Sequence, residues 1–127
     1  MKLEHIAIWT NQLEIMRTFY VTYFEATANN KYHNVKKGVE SYFLGFEGGS
    51  RIELMQMPEL KTGWEDNHMI GLHHIAFQTK NRKTVDELTD KIVASGYSLR
   101  SQPRETGDGY YESSIYDPDG NVVEITA

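Results

Sequence analysis

The chain has no cysteine among its 127 residues. Disulfides, thiolate ligands and cysteine nucleophiles are therefore excluded, and any metal must rest on nitrogen and oxygen donors. Positive charge is also scarce. Thirteen Lys and Arg face 18 Asp and Glu, a formal net charge of -5 with no basic stripe. That argues against nonspecific nucleic-acid binding, which depends on cations neutralising phosphates. No apolar run approaches the ~20 residues a membrane span needs. The N-terminus enters a strand pattern rather than a signal peptide, so a cytoplasmic protein with no membrane partner is expected. Low-complexity tracts are missing too, and 39% hydrophobic with 24% charged residues suits a folded soluble domain.

What the chain does contain is a repeat. LEHIAIWT at Leu3 to Thr10 returns as LHHIAFQT at Leu72 to Thr79, with five of eight positions identical. The ends of the two copies agree as well: RIELM at Arg51 to Met55 and VVEIT at Val122 to Thr126 are apolar runs interrupted by one carboxylate. Glu53 follows His5 by 48 residues and Glu124 follows His74 by 50. Two modules of roughly 60 residues, each marginal alone, can then form one domain over residues 1–127. Module one covers about 1–57, a polar linker about 58–71, and module two about 72–127.

Within each module the periodicity gives the elements. Leu3 to Trp9 alternates and reads as a strand. Thr10 or Asn11 is placed to cap a helix bearing Leu13, Met16, Phe19, Tyr20, Tyr23 and Phe24. A short strand is expected within Ala26 to His33, then a turn over Asn34 to Gly38. Strands at Ser41 to Phe46 and Arg51 to Met57 are joined by a Gly48-Gly49-Ser50 turn. In the second copy, Leu72 to Thr79 is the strand, Asn81 caps the helix and Gly96 closes it. Strands follow at Tyr97 to Arg100, Tyr110 to Tyr116 and Asn121 to Thr126, with a loop at Pro103 to Gly109 and a tight turn at Asp117 to Gly120. The expected fold class is α+β, each half βαβββ.

Strand parity selects the residues that could carry chemistry. His5 opposes Ile6 and Ile8, His74 opposes Ile75 and Phe77, Glu53 opposes Ile52 and Leu54, and Glu124 opposes Val123 and Ile125. All four therefore fall on the face away from the helix. If the sheets curve, two imidazoles and two carboxylates can converge in a cavity and hold a divalent ion such as Zn, Ni, Co, Mn or Fe with coordination positions to spare. A histidine in a strand is more often a core or surface residue, and a lone glutamate is usually the wet side of an amphipathic strand. Two matched pairs carry more weight than either residue alone. His73 competes with His74 for the ligand role, although its counterpart in the first copy is Glu4 and its parity places it with Ile75. His33 and His68 fall in expected loops, and Arg51 shares a face with Glu53.

In this order these segments resemble the vicinal oxygen chelate superfamily, which includes glyoxalase I, bleomycin-resistance and extradiol dioxygenase proteins. The resemblance runs through the opening strands, the Phe19-Tyr20 pair and YDPDGNVVEI at Tyr116 to Ile125, close to the family's DPDGxxxE ending. It implies two tandem βαβββ modules forming curved mixed sheets around a metal-binding cavity. It also implies metal ligands at His5, Glu53, His74 and Glu124, the set of the glyoxalase I branch. The implied activity is a glyoxalase I-like (lactoylglutathione lyase-like) isomerase. It would move a proton through an enediolate of a small α-hydroxycarbonyl or thiohemiacetal substrate, with Glu124 the first choice of general base and Glu53 the second. A homodimer is implied as well. The basic residues with which glyoxalase I holds glutathione carboxylates have no counterpart here. Two alternatives stand beside the isomerase: a metal-dependent dioxygenase, and a binding protein of the bleomycin-resistance type that turns nothing over.

Overall fold

Alternation in the opening segment produces the exposure that a one-sided sheet requires. In β1 (His5–Trp9) Ile8 is buried, while His5, Ala7 and Trp9 are exposed. The computed structural model describes residues 4–60, 72–107 and 109–127. Leu3, most of the expected linker and His68 lie outside them. The chain divides into two compact units, Met1–Gly63 and Trp64–Ala127.

In the first unit, helix α1 (Leu13–Phe24) buries Leu13, Met16, Phe19, Tyr20 and Phe24 against β4 (Val39–Gly45) and β5 (Arg51–Gln56). The helix-covered face of the sheet contributes Ile8, Leu44, Ile52 and Leu54, all buried. Sheet order is β1-β5-β4, with β1 parallel to β5 and β4 antiparallel to it. Neither Thr10 nor Asn11 caps the helix. Gln12 is the cap residue, and its side chain makes no capping bond to the helix. The Leu13 N–H instead donates to Gln56 Oε1 at 3.1 Å, and Thr10 Oγ1 accepts from the Gln12 N–H at 2.9 Å. A residue 43 positions away in sequence thus does a cap's work, tying the helix start to the end of β5.

The strand expected within Ala26 to His33 forms as two short pieces, β2 (Thr27–Ala28) and β3 (Tyr32–Asn34), both antiparallel to β4. Asn29 lies at the break. Its Oδ1 accepts from the Phe43 N–H at 2.8 Å while its own N–H donates to the Phe43 carbonyl at 3.1 Å, so a side chain substitutes for one ladder bond.

The second unit repeats the plan. Helix α2 (Arg82–Ala94) starts at the expected Asn81, whose Oδ1 accepts from the Thr84 N–H at 3.0 Å. Its sheet pairs β6 (His74–Gln78) parallel with β9 (Val122–Thr126), β9 antiparallel with β8 (Tyr111–Tyr116), and β8 antiparallel with β7 (Leu99–Glu105) at the edge. Strand β7 extends over Leu99–Glu105, past Pro103, where a loop was expected. Proline is admitted because β7 is the sheet edge and its register with β8 shifts between Ser101 and Arg104. Each unit is therefore a βαβββ module with a mixed sheet, the second strand of the first module interrupted, and the chain is α+β.

A polar bridge crosses the second core. Thr89 Oγ1 on α2 donates to the Val85 carbonyl and meets Ser113 Oγ on β8, both at 2.6 Å and both hydroxyls buried. Thr89→Val keeps the shape and removes the hydroxyl. It should destabilise the protein by roughly 1–3 kcal/mol in urea unfolding, whereas pairing it with Ser113→Ala should recover most of that loss.

Candidate metal centre

Both modules place a histidine and a glutamate in the same local frame. In β1 and β5 the register sets His5 opposite Arg51 and Ala7 opposite Glu53. In β6 and β9 it sets His74 opposite Val122 and Ala76 opposite Glu124. Each glutamate is thus displaced two residues along the strand from its histidine, on the helix-free face, beside an alanine that leaves room for it. His5 Nε2 lies 3.8 Å from Glu53 Oε2, and His74 Nε2 lies 3.3 Å from Glu124 Oε2. The glutamate side chains retain 19% and 16% of their exposure, enough to reach a ligand yet shielded by the sheet. Among the described residues no group of three or more His, Asp and Glu side chains is placed to hold a metal ion, and within each unit the candidates meet as one His–Glu pair.

The chemistry of the pairs suits a cation. An ionised carboxylate only accepts hydrogen bonds, so the Glu4 carboxylate beside His5 Nδ1 makes that nitrogen the donor. In the neutral ring Nε2 then carries a lone pair, and it faces the oxygen lone pairs of Glu53. Two donors on one zinc-like ion at ~2.0–2.2 Å lie about 3 to 3.5 Å apart; the His74–Glu124 separation of 3.3 Å falls in that range, while the 3.8 Å of His5–Glu53 exceeds it. His74 is held similarly, its Nδ1 2.9 Å from Nδ1 of His73. If His74 Nδ1 donates there, its Nε2 is free for a metal.

His73 therefore stands behind His74 rather than beside Glu124, and Glu4 occupies the equivalent place behind His5. Glu4 was missed as a functional candidate because an exposed acidic residue before a strand has no distinguishing pattern. Its match to His73 in the repeat was the available signal. Arg51, which shares the Glu53 face, is committed elsewhere: it pairs with Glu4, and its guanidinium lies 4.2 Å from the centroid of the Phe43 ring. The Phe43 ring in turn meets His5 edge-on at 5.4 Å. Hydrogen bonding from His5, followed by the influence of Arg51, holds the Glu4 carboxyl below the usual carboxylate range. His33 lies in β3 and is exposed.

The Asp117 to Gly120 turn, next to Glu124 in sequence, has a structural task. Asp117 is buried; its Oδ1 accepts from the Asp119 and Asn121 N–H groups at 2.9 Å, and its Oδ2 accepts from Asn121 Nδ2 at 2.9 Å. Gly120, at φ 84, completes the reversal. This turn feeds β9 and so fixes the register that presents Glu124. Tyr111 faces the helix, its hydroxyl donating to Asp86 at 2.7 Å.

The model of the Glyoxalase/Bleomycin resistance protein/Dioxygenase superfamily matches residues 2–125. The chain belongs to that superfamily. Members generally bind a divalent metal and small-molecule substrates, and commonly form dimers. Similar proteins include the uncharacterized protein YqjT of Bacillus subtilis, 26% identical over 98% of each chain. A biphenyl-2,3-diol 1,2-dioxygenase of Rhodococcus globerulus is 31% identical over 98% of this chain, which spans 61% of that enzyme. Among solved structures, glyoxalase I of Zea mays superposes with a TM-score of 0.77 at 19% identity, covering 98% of this chain and 44% of that one. At that identity the likeness shows the superfamily fold alone.

One outcome follows from the histidine supports. Glu4→Ala removes the acceptor that fixes the His5 tautomer, and metal affinity should fall about 10- to 100-fold, as when the hydrogen-bond partner of a ligating histidine is lost. Calorimetric titration of metal-free protein measures this. Unchanged affinity would mean that Glu4 serves only Arg51.

Proposed function

We propose that this superfamily member is a glyoxalase I-like, divalent-metal-dependent isomerase, acting on a small α-hydroxycarbonyl compound such as the thiol adduct of a 2-oxoaldehyde. The observation that carries the reading is the twofold recurrence of one histidine Nε2 aimed at one glutamate oxygen at equivalent strand registers. His5, Glu53, His74 and Glu124 would hold the ion, the two pairs converging within one chain or across a homodimer. A divalent cation held there would supply Lewis-acid polarisation of substrate oxygen, which would acidify the adjacent carbon. Glu124 takes the proton from that carbon and returns it to the neighbouring one, with Glu53 the second candidate for this role. Both carboxylates lie on the helix-free face, where a substrate can approach, and the alanine beside each keeps that approach open. His5 and His74, each held through Nδ1, keep their Nε2 atoms in place while a glutamate moves.

Turnover in D₂O tests the reading. Deuterium should appear at the carbon that receives the proton, to the extent that the carboxylate exchanges with solvent before returning it, and dissolved oxygen should not be consumed. The Rhodococcus relative favours a second reading, a dioxygenase using iron or manganese. Oxygen uptake with an aromatic diol, and no proton shift on any hydroxycarbonyl, would establish that reading instead. Tight ligand binding with no turnover of either kind would point to a binding protein.

A further inference from the structure

The helix-free face of the first sheet carries more than the His5–Glu53 pair. A cleft of about 580 Å³ opens there, its lining including Trp9, Tyr32, Lys37, Glu53, Met55 and Met57. Strand register orders these residues. Glu53 lies in a row with Ala7 and Phe43. In the next row Trp9, Met55, Ser41 and Tyr32 lie side by side across four strands. Met57 follows just beyond the end of β5, and Lys37 stands in the turn between β3 and β4. From Glu53 to Met57 is four residues, roughly 13 Å of extended chain. One end of the trough is therefore a carboxylate pairing with His5, the middle is aromatic and thioether, and the far end carries a cation.

The turn that carries Lys37 is fixed through its backbone. The Lys37 backbone N–H donates to Asn34 Oδ1 at 3.2 Å, and Gly38, at φ 67, sets the turn against Pro58, where a Cβ would come within 3.3 Å of Pro58 Cδ. Among the described residues the Lys37 ammonium has no salt-bridge partner, whereas the cations Lys31 and Arg51 are paired with glutamates. Trp9 and Tyr32 are 49% and 58% exposed, an unusual outlay of aromatic surface beside a carboxylate. Indole and thioether groups favour a flat aromatic body through stacking and sulfur–ring contact.

We propose that the cleft selects an elongated aromatic monoanion: reacting oxygens at the Glu53 end, an aromatic body over Met55 and Trp9, and a remote carboxylate bound by Lys37. The proposal rests on the isomerase reading only for the chemistry at Glu53. Recognition of the body and the charge belongs to the first module and needs no metal.

The test uses chelator-treated full-length protein and three probes: 4-phenylbutyrate, 4-phenylbutanol and 4-phenylbutylamine, each titrated calorimetrically. The carboxylate should bind about tenfold tighter than the alcohol, the scale of one charge-assisted hydrogen bond. Lys37→Met should erase that preference and leave the alcohol unchanged, and Lys37→Glu should transfer it to the amine. Trp9→Ala should weaken all three. Equal binding of the three probes, or a carboxylate preference that survives both Lys37 variants, would overturn the proposal. Because no metal is present, failure of the isomerase reading would leave these results intact, and their failure would leave the metal question untouched.

Discussion

Glu124→Gln should retain much of the metal and lose about 10²- to 10⁴-fold in turnover, the usual contribution of a positioned general base. Glutamine keeps one oxygen donor of the same reach, so the pair with His74 Nε2, 3.3 Å in the native chain, can persist as a ligand pair. What disappears is the basic carboxylate. Glu53→Gln separates the two candidates. If Glu124 is the base, the Glu53 variant should lose less activity than the Glu124 variant at equal metal content. The reverse ranking would assign the proton transfer to the first module. Steady-state kinetics on metal-reconstituted variants decides this, with metal content measured on the same samples.

His74→Ala should remove stoichiometric metal altogether, a larger loss than any produced by replacing the residues that support the ligands. His73→Ala should leave most of the metal bound. The distinction rests on geometry: Nε2 of His74 faces Glu124, whereas His73 meets only Nδ1 of His74 in the described pair. Losing His73 frees the His74 ring without removing its donor, so affinity should fall by the ~10- to 100-fold associated with a lost supporting hydrogen bond. Circular dichroism should show both variants folded, because both histidines are exposed. Loss of metal in His73→Ala with retention in His74→Ala would transfer the ligand role to His73.

The helices were the most legible part of the fold. Leu13, Met16, Phe19, Tyr20, Tyr23 and Phe24 recur at helical spacing, and the structure buries all but Tyr23, which is half-buried. Parity in the short strands was legible as well: Ile52, Leu54, Val123 and Ile125 are buried while Glu53 and Glu124 between them are not. Features depending on distant partners were hidden. Gln56 capping α1 and Asn29 interrupting a strand are side-chain choices that no local pattern announces. Pro103 suggested a loop because the edge position that makes it tolerable is a property of the whole sheet. At the candidate site, the His–Glu pairing within each module was legible from the repeat. The roles of Glu4 and His73 required ring orientations. The trough of Trp9, Met55 and Met57 could have been found from parity with Glu53, since all lie on one face, but Tyr32 and Lys37 enter it through the β3–β4 hairpin.

Glu14 shows how local charge is disposed on the opposite face. It accepts from the Tyr42 hydroxyl at 3.1 Å and pairs with Lys31 at 2.6 Å, and this bonding to Lys31 first, then to Tyr42, holds its carboxyl below the usual range. A depressed folded-state value stabilises the protein above the unfolded carboxylate range, and that contribution fades as pH falls through the folded value. The site is largely exposed, so the effect is small.

We propose that one ion is shared by the two His–Glu pairs. Titrating metal-free protein with Co²⁺, followed by calorimetry and by the absorption of the bound ion, tests it most directly. One ion per chain is expected, lost in His5→Ala and equally in His74→Ala. Two independent ions per chain, each abolished by only one of the substitutions, would contradict it.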